Sequence, residues 1–361
     1  MKLNKVLVPL VGASLLTIGA QAQVNVTITG STAFRSIAFD RVQSLFDAGY
    51  STAGDVVGTG PGTFSGTMSN AIPSLHNTPV TVRLSFSGSG AGMLAVDQST
   101  PVPTVNPGTG TTNNLVPDLA FSDVFPESAT PSINGADFDQ DIVGVIPFVF
   151  TKNNALTGIT NITKEQAVLL MTSSGVVTNG ASLIPGMPAS FLSGTSTNPI
   201  YLTGRDSGSG TRITVQKCIS FTGTPRLWGL NAGNLLLTNG YSSGGNERVA
   251  IANNTNVIGY LGLADTAAIA ASASAIGYQG IPFSAAGVQN GMYPLWGYEH
   301  LVNRAGGMSA NQVAIRNALI AAITNQGYQT TNTLYTANFV DQANMKVTRG
   351  TDGGTITSLN F

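Results

Sequence analysis

The chain has 361 residues, with 16 Lys and Arg against 17 Asp and Glu, so its formal net charge is −1. Only 9% of the residues are charged, where ordinary soluble domains have about 25%. The lack of a basic excess argues against sequence-independent nucleic-acid binding, and the low charge argues against a highly charged disordered protein. The length predicts about two domains.

The amino-terminal segment has the organisation of a signal peptide. Lys2 and Lys5 precede the apolar run 6–20, and Ala20-Gln21-Ala22 provides small residues around a cleavage site. An apolar run of about 15 residues is too short to span a bilayer. We therefore expect export to the periplasm or the exterior, with cleavage of residues 1–22 near Ala22. No cysteine lies near that site, so we do not expect a lipoprotein.

The cysteine and histidine content restricts metal chemistry. Cys218 is the single cysteine, so neither an intrachain disulfide nor a multi-cysteine metal site can form. His76 and His300 lie far apart in sequence, which disfavours a histidine-based zinc site. We expect no metal and no cofactor.

Apolar and alternating segments predict strands that are followed by helical patterns. The helix after the first strand is expected to be capped by Ser31 or Thr32. Two Gly-, Thr- and Pro-rich segments, 51–78 and 98–114, are interpreted as loop insertions. The alternation of strands and helices indicates an α/β fold. The predicted strands are 24–28, 80–86, 115–121, 142–150, 200–202 and 257–263.

Later helices carry clearer start signals. Thr163 and Gln166 form a Thr-x-x-Gln capping box before an apolar segment. Residues 212–221 have a helical pattern, and Ser309 is placed to cap a helix that stops near Gly327.

Three glycine- and serine-rich turns follow predicted strands, at 30–32, 87–90 and 208–211. Turns of this kind expose backbone N–H groups, and at a helix start they lie at the positive end of the helix dipole. Because ligands of open α/β sheets gather at the carboxyl ends of strands, converging turns would form an anion site with little net positive charge. Arg205, just before the third turn, is a typical oxyanion clamp. Asp123 ends a short strand.

These residues resemble the phosphate-binding proteins of ABC uptake systems, which have the type 2 periplasmic binding-protein fold. The most specific segment is 204–212, similar to that family's Arg-x-x-Gly-Ser-Gly-Thr signature. The family has an Asp directly before Gly-Ser-Gly-Thr, where this chain has Ser207 with Asp206 one residue earlier. Which group supports Arg205 is therefore open. The other segments that carry the resemblance are 28–32, 86–92, 121–123, 145–149 with 159–170, 258–262 and 293–295.

The resemblance implies a two-domain α/β protein with mixed sheets flanked by helices and the ligand in the interdomain cleft. It implies a discontinuous first domain, 24–148 plus 265–361, and a second domain, 149–264. The implied function is capture of inorganic phosphate for an ABC permease, by a monomer without catalytic residues. The implied ligand-binding residues are Ser31, Thr32, Ala33, Phe34, Ser87, Ser89, Gly90, Asp123, Arg205, Ser209, Gly210 and Thr211.

Asp123 is the residue that would separate phosphate from sulfate. A carboxylate repels a fully ionised anion but accepts a hydrogen bond from a protonated one such as hydrogen phosphate. The hypothesis is that Asp123→Asn weakens this selectivity.

Three alternatives remain open at the level of sequence. Segment 240–244 matches the G-x-S-x-G pattern of serine hydrolases, although a chain this rich in Gly and Ser often produces such a match by chance. A secreted protein with the same fold could have lost its link to transport, which the low charge and the two insertions favour. The site could also bind another oxyanion, such as molybdate or tungstate.

Overall fold

The computed structural model of the protein describes residues 23–56, 60–70, 72–179, 182–184, 186–192 and 194–359. The predicted signal peptide, 1–22, lies outside the described residues. No helix within the described ranges is long and apolar enough to cross a membrane.

Strands occur throughout the described part of the chain. They are β1 Val24–Gly30, β2 Ser51–Gly54, β3 Gly62–Thr67, β4 Pro79–Leu84, β5 Val102–Val105, β6 Thr112–Leu115, β7 Leu119–Ser122, β8 Phe138–Asn153, β9 Asn161–Ile162, β10 Val177–Asn179, β11 Ser182–Ile184, β12 Tyr201–Leu202, β13 Leu227–Asn231, β14 Asn234–Thr238, β15 Val257–Gly262, β16 Ala273–Tyr278, β17 Trp296–Arg304, β18 Val347–Thr348 and β19 Thr357–Ser358.

The α-helices lie between these strands and in the carboxy-terminal part. They are α1 Arg35–Gln43, α2 Ser89–Asp97, α3 Lys164–Ser173, α4 Gly210–Cys218, α5 Gly244–Asn253, α6 Leu263–Ala267, α7 Ala285–Gln289, α8 Ala310–Thr324, α9 Gln326–Thr331 and α10 Thr333–Thr336.

Among the described residues, eleven strands form one mixed sheet that spans both halves of the molecule. Its main path runs β12-β15-β8-β17-β7-β1-β4-β3-β2, and β16 and β9 extend it beside β8. β1 is parallel to β4 and β7, so these three strands end at the same edge of the sheet. The first turns after β1 and β7 therefore lie side by side.

The long strand β8 connects the two halves. Its first part, through Pro147, pairs with β17, and its last part, 148–153, pairs with β15 and β16. The strand is buried almost throughout, as the continuous apolar run 142–150 predicts. Because β16 pairs with the second part of β8, we propose that the second domain extends past Tyr278 and does not end at 264.

Several predicted elements are confirmed. The predicted strands at 24–28, 80–86, 115–121, 142–150, 200–202 and 257–263 correspond to β1, β4, β7, β8, β12 and β15. Thr163 with Gln166 and Ser309 with Gln312 form complete capping boxes at α3 and α8. The helix predicted at 212–221 begins two residues earlier, at Gly210, and ends at Cys218.

The interpretation of 51–78 and 98–114 as loops is wrong. β3 pairs antiparallel with β4, and β2 pairs with β3, so the first segment widens the sheet. Phe64 of β3 is 1% exposed and packs between Phe39 and Phe46, at 6.1 Å from each ring. The second segment contains the hairpin β5-β6. The residues of these segments have poor intrinsic β-propensity. They form strands nevertheless, because pairing and packing against neighbouring strands outweigh intrinsic propensity.

Candidate functional site

The first turn begins where β1 ends, at Gly30. This glycine has φ +112°, and a Cβ there would lie 1.9 Å from the carbonyl oxygen of Phe121, so a side chain cannot be accommodated. The backbone N–H of Ser31 donates to the same carbonyl at 2.8 Å. The turn is thus bound tightly to the end of β7.

The predicted cap of the first helix is wrong. α1 begins at Arg35, and its N-cap residue, Phe34, makes no side-chain capping bond. The Ser31 hydroxyl instead accepts from the N–H of Phe34 at 3.2 Å. The Phe34 ring is buried against Phe121 and Phe339, so this residue contributes a hydrophobic anchor beneath the turn.

The second turn is hydrogen-bonded to the first. Gly88 has φ +119°, and its N–H donates to the carbonyl of Gly30 at 2.9 Å. α2 begins at Ser89, which is 1% exposed. A Cβ on Gly92 would lie 2.4 Å from the Cα of Gly30, so the absence of this atom allows α2 to pack on the end of β1.

The third turn comes from the second half of the chain and meets the second turn. Ser209 is the N-cap of α4, and its hydroxyl accepts from the N–H of Arg212 at 3.5 Å. The carbonyl of Gly208 accepts from the N–H of Gly90 at 3.0 Å. The N–H groups of Gly210 and Thr211 lie in the first turn of α4, where helix geometry offers them no acceptor.

Asp123 lies at the centre of the three turns and is 1% exposed. Ser89 donates its hydroxyl to one carboxylate oxygen, and Thr211 donates to the other at 3.4 Å. Burial raises the pKa of Asp123 to about 6, opposed by the positive charge of Arg205. A Cβ on Gly210 would lie 1.8 Å from Asp123 Oδ1. The carboxyl group therefore packs directly against the start of α4.

Arg205 connects the two halves at this point and is 3% exposed. Its Nε donates to the carbonyl of Tyr241 at 3.1 Å, and Nη2 donates to the carbonyl of Ser242 at 2.9 Å. Nη2 also donates to the Thr32 hydroxyl at 3.2 Å. The groups that support Arg205, which the sequence left open, are thus the main-chain carbonyls of Tyr241 and Ser242 and not the side chain of Asp206.

Most of the predicted site residues line one small crevice. It is formed by Ser31, Thr32, Ala33, Gly88, Ser89, Asp123, Arg205, Ser209, Gly210 and Thr211. The prediction omitted Gly88. Two predicted residues lie elsewhere: the Phe34 ring is in the core, and Ser87 is exposed in a neighbouring cleft. Gly90 lies at the site but does not line the crevice, and its N–H is bonded to Gly208.

The 240–244 segment acts as a turn and helix cap. The carbonyl of Ser242 accepts from Arg205, and Ser243 caps α5 by accepting from the N–H of Asn246 at 3.2 Å. Neither ring nitrogen of His300 has a hydrogen-bond partner in the described part of the chain. In the described part of the chain, the hydroxyl groups of Ser242 and Ser243 are not hydrogen-bonded to a histidine, a contact that a hydrolase triad requires.

Sequence reasoning missed the residues around Arg205. Tyr241 and Ser242 hold it, and the acidic side chains of Glu247 and Asp265 lie within its electrostatic reach. Burial raises the pKa of Glu247 to about 8. The serine before a Gly-Gly-Asn-Glu segment was a usable helix-start signal, but its proximity to Arg205 depends on a contact between distant parts of the chain.

Comparisons with known proteins identify the architecture. No model of a known protein family and no curated protein matches the chain. Among solved structures, it is similar to a proposed phosphate ABC transporter substrate-binding protein with bound phosphate from Clostridium perfringens, with a TM-score of 0.56 and 15% identity over 88% of this chain and 98% of that one. It is also similar to an ABC-type phosphate transport receptor from Vibrio cholerae, with a TM-score of 0.53 and 13% identity over 87% and 99% of the two chains. The chain has the two-domain fold of the periplasmic phosphate-binding proteins. The predicted fold class is therefore confirmed.

The crevice takes its lining residues from both halves of the chain. Thr32 and Ser89 come from the first half of the chain, and Arg205 and Thr211 come from the second. The contacts between Arg205 and Thr32 and between Gly90 and Gly208 hold the halves together at the site.

Proposed function

We propose that the protein is a solute-binding protein that captures inorganic phosphate between its two domains and delivers it to an ABC permease. The observation that carries this proposal is the convergence of three N–H-rich turns on Asp123 and Arg205 in one buried crevice. Helix starts and an arginine attract a tetrahedral oxyanion. The Clostridium perfringens protein of the same fold holds phosphate.

The chemistry of Asp123 favours phosphate over sulfate. A buried carboxylate is an acceptor, and hydrogen phosphate carries a proton to donate to it, whereas sulfate at neutral pH has none. A site with an unsatisfied acceptor rejects the wrong ligand by several kcal/mol, on the order of 10⁴-fold in well-built cases. The same carboxylate argues against molybdate and tungstate.

The proposed function is that of a carrier and not of an enzyme. The segment 1–22 would direct export and be removed near Ala22, leaving a monomer in the periplasm or outside the cell. Binding between two domains is suited to delivery, because opening of the cleft releases the ligand to a partner.

Isothermal titration calorimetry of the mature chain, 23–361, with phosphate, sulfate and molybdate at pH 7.5 tests this function. We expect phosphate to bind at least about 100-fold more tightly than either of the others. Arg205→Gln should weaken phosphate at least about 30-fold, because it removes a buried charged donor. Arg304→Gln, which changes an exposed arginine on β17, is the matched control and should have no effect. Equal affinity of the native protein for phosphate and sulfate would contradict the proposal.

A further inference from the structure

A cleft of about 760 Å³ adjoins the phosphate crevice and shares Thr32 and Ala33 with it. The size is typical of sites for small organic molecules, which measure roughly 300–1,000 Å³, and it far exceeds what a five-atom anion needs. The two halves already touch at the crevice, where Gly90 N–H donates to Gly208 and Arg205 donates to Thr32. The cleft is therefore not the simple consequence of separated domains.

The lining of the cleft is mixed: apolar side chains such as Phe86, Leu263 and Phe339 lie beside polar and charged groups. Arg248 Nη1 lies 3.0 Å from Asp265 Oδ1, with the two side chains 37% and 28% exposed. Arg35 lines the cleft, and burial lowers the pKa of its guanidinium. Hydroxyl and amide groups add both donors and acceptors. These come from Ser36, Ser87, Ser242, Ser243, Asn246 and Asn338.

A small cavity of about 10 Å³ lies between the crevice and the cleft. Thr32, Ala33 and Arg205 line both this cavity and the crevice, and Asp265 lines both this cavity and the cleft. Two further lining residues, Glu247 and Tyr260, are fully buried. Within the described ranges, Glu247 Oε2 has no hydrogen-bond partner, whereas the Tyr260 hydroxyl interacts with the backbone of Arg205. An unpaired carboxyl oxygen is costly to bury, so Glu247 is suited to an oxygen-bearing ligand.

We propose that the protein also binds small phosphate monoesters of polyols or sugars, with the phosphoryl group in the crevice and the hydroxylated substituent extending past Thr32 and Ala33 into the cleft. This assignment rests on the proposed function, since it uses the same anion site. It predicts that Arg248 and the serine hydroxyl groups recognise the substituent.

The proton balance at Asp123 makes the two ligand classes distinguishable. Hydrogen phosphate keeps one proton between pH 6.5 and 8.5, whereas a monoester with a second pKa of about 6 becomes fully ionised in this range. The charged groups that face Asp123 are Arg205 from the other half of the chain, Glu299 on β17 and Asp352 near the carboxy terminus. A hydrogen bond between Asp123 and an ester dianion therefore requires uptake of a proton, either by Asp123 or by the ester. Inorganic phosphate already carries this proton.

Titration calorimetry of the mature chain with inorganic phosphate, glycerol 3-phosphate and glucose 6-phosphate tests the proposal, with glycerol and glucose as controls. At pH 6.5 we expect the esters to bind within about tenfold of phosphate, and the uncharged controls not to bind. Between pH 6.5 and 8.5 ester affinity should fall by nearly tenfold per unit, while phosphate affinity should not fall and should change by less than about tenfold over the whole range, since phosphate's own ionisation near pH 7 only raises the share of hydrogen phosphate. Arg248→Gln should weaken the esters at least tenfold more than it weakens phosphate, as loss of a charged hydrogen bond predicts, and Arg304→Gln should affect none of them.

The outcomes separate the two proposals. Tight phosphate binding with esters more than 100-fold weaker at pH 6.5 overturns the ester proposal and leaves phosphate capture standing. Ester binding that responds equally to Arg248→Gln and Arg304→Gln overturns the placement of the substituent in the cleft. If neither phosphate nor the esters bind, both proposals fail. The double variant Arg248→Gln/Asp265→Asn removes the ion pair without leaving an unpaired carboxylate, so a specific loss of ester binding there supports the proposal.

Discussion

Ionised Asp123 destabilises the ligand-free protein, and the same carboxylate has a proposed function in ligand binding. Its carboxyl group is buried among Ser89, Thr211 and the start of α4. Ionisation there is unfavourable, and burial raises the pKa to about 6. A hydrogen-phosphate ligand would restore a donor to the ionised carboxylate. Stability and ligand selectivity should therefore change in opposite directions when this charge is removed.

We expect Asp123→Asn to stabilise the ligand-free protein at pH 8 and to weaken phosphate binding about 10- to 100-fold. The native state binds more protons than the unfolded state between about pH 4 and 6, so ionisation of Asp123 lowers stability as pH rises through this window. A shift of about 2 pKa units corresponds to about 3 kcal/mol. The gain from the variant should approach this value at pH 8 and vanish near pH 4. Urea unfolding at both pH values and calorimetry with phosphate measure the two effects.

Asp139→Asn, at an exposed position on β8, is the control and should change neither stability nor binding. A variant at Asp123 that loses stability equally at pH 4 and pH 8 would show that the carboxyl group is structural only.

His300 should produce the opposite pH dependence. It is 1% exposed, lies 4.4 Å from the ring of Phe125, and burial lowers its pKa to about 3. The unfolded state, with a histidine pKa near 6.5, binds the proton first as pH falls. Stability from the neutral ring is thus fully present above pH 6.5 and is lost toward pH 3, by about 3 kcal/mol at pH 4.

Replacing His300 by Phe should remove this loss, so that urea unfolding of His300→Phe depends less on pH between 6.5 and 4 than unfolding of the native protein. His76→Gln changes an exposed histidine and is the matched control variant. Identical pH profiles for the native protein and His300→Phe would disprove the assignment.

At the scale of elements, close approach of backbone segments brings the three turns together. Gly92 packs against Gly30, and Gly210 packs against Asp123, each at a distance that a Cβ would occupy. These glycines allow the starts of α2 and α4 to approach the ends of β1 and β7. The positive ends of two helices therefore lie next to a buried carboxyl group and can stabilise charge there.

Gly210→Ala should disrupt the site although alanine favours a helix. Its Cβ would lie 1.8 Å from Asp123 Oδ1 and 2.5 Å from Cγ, so the carboxyl group or α4 must move. We expect phosphate binding to fall at least about 100-fold and stability to drop by about 1–3 kcal/mol, as for overpacked cores. Calorimetry and urea unfolding measure both.

Gly245→Ala is the matched helix-start control. Its Cβ would meet only Ser243 Oγ, at 3.8 Å, so helix propensity should dominate and stability should rise by about 0.5–1 kcal/mol. Phosphate affinity equal to that of the native protein in Gly210→Ala would contradict the position of this turn in the site.

At the scale of the molecule, the two domains share a continuous strand and one core. β8 pairs with β17 in its first part and with β15 and β16 in its last part. One hydrophobic cluster includes Val26 and Phe121 of the first half together with Leu202 and Tyr260 of the second. Neither half can unfold without exposing apolar surface of the other.

Differential scanning calorimetry of the mature chain should therefore show one transition, with equal calorimetric and van't Hoff enthalpies. Saturating phosphate should move this transition upward as a whole, because the proposed site has residues from both halves of the chain and exists only in the folded state. At 100 times the dissociation constant the gain is about 2.7 kcal/mol. Two separable transitions, only one of them shifted by phosphate, would show that the domains unfold independently.

The local patterns of the sequence predicted most of the central strands, the capping box at Thr163, the helix cap at Ser309, and the turns around Ser31, Ser89 and Ser209. These depend on residues near each other in the chain, where periodicity and hydrogen-bonding side chains act directly. The same reasoning failed for 51–78, because the pairing of β3 with β4 depends on a partner strand and not on local composition.

What the sequence by itself determined is the α/β class, the N–H-rich turns at strand ends, and the presence of one arginine and one aspartate beside them. The tertiary structure alone decided that Asp123 is buried, because the starts of α2 and α4 pack against its carboxyl group and remove it from water. It also decided that the carbonyls of Tyr241 and Ser242 hold Arg205, and that a large cleft adjoins the crevice. Each of these depends on contacts between residues far apart in the chain, whose free energy comes from burial and close packing and leaves no periodic trace in the sequence.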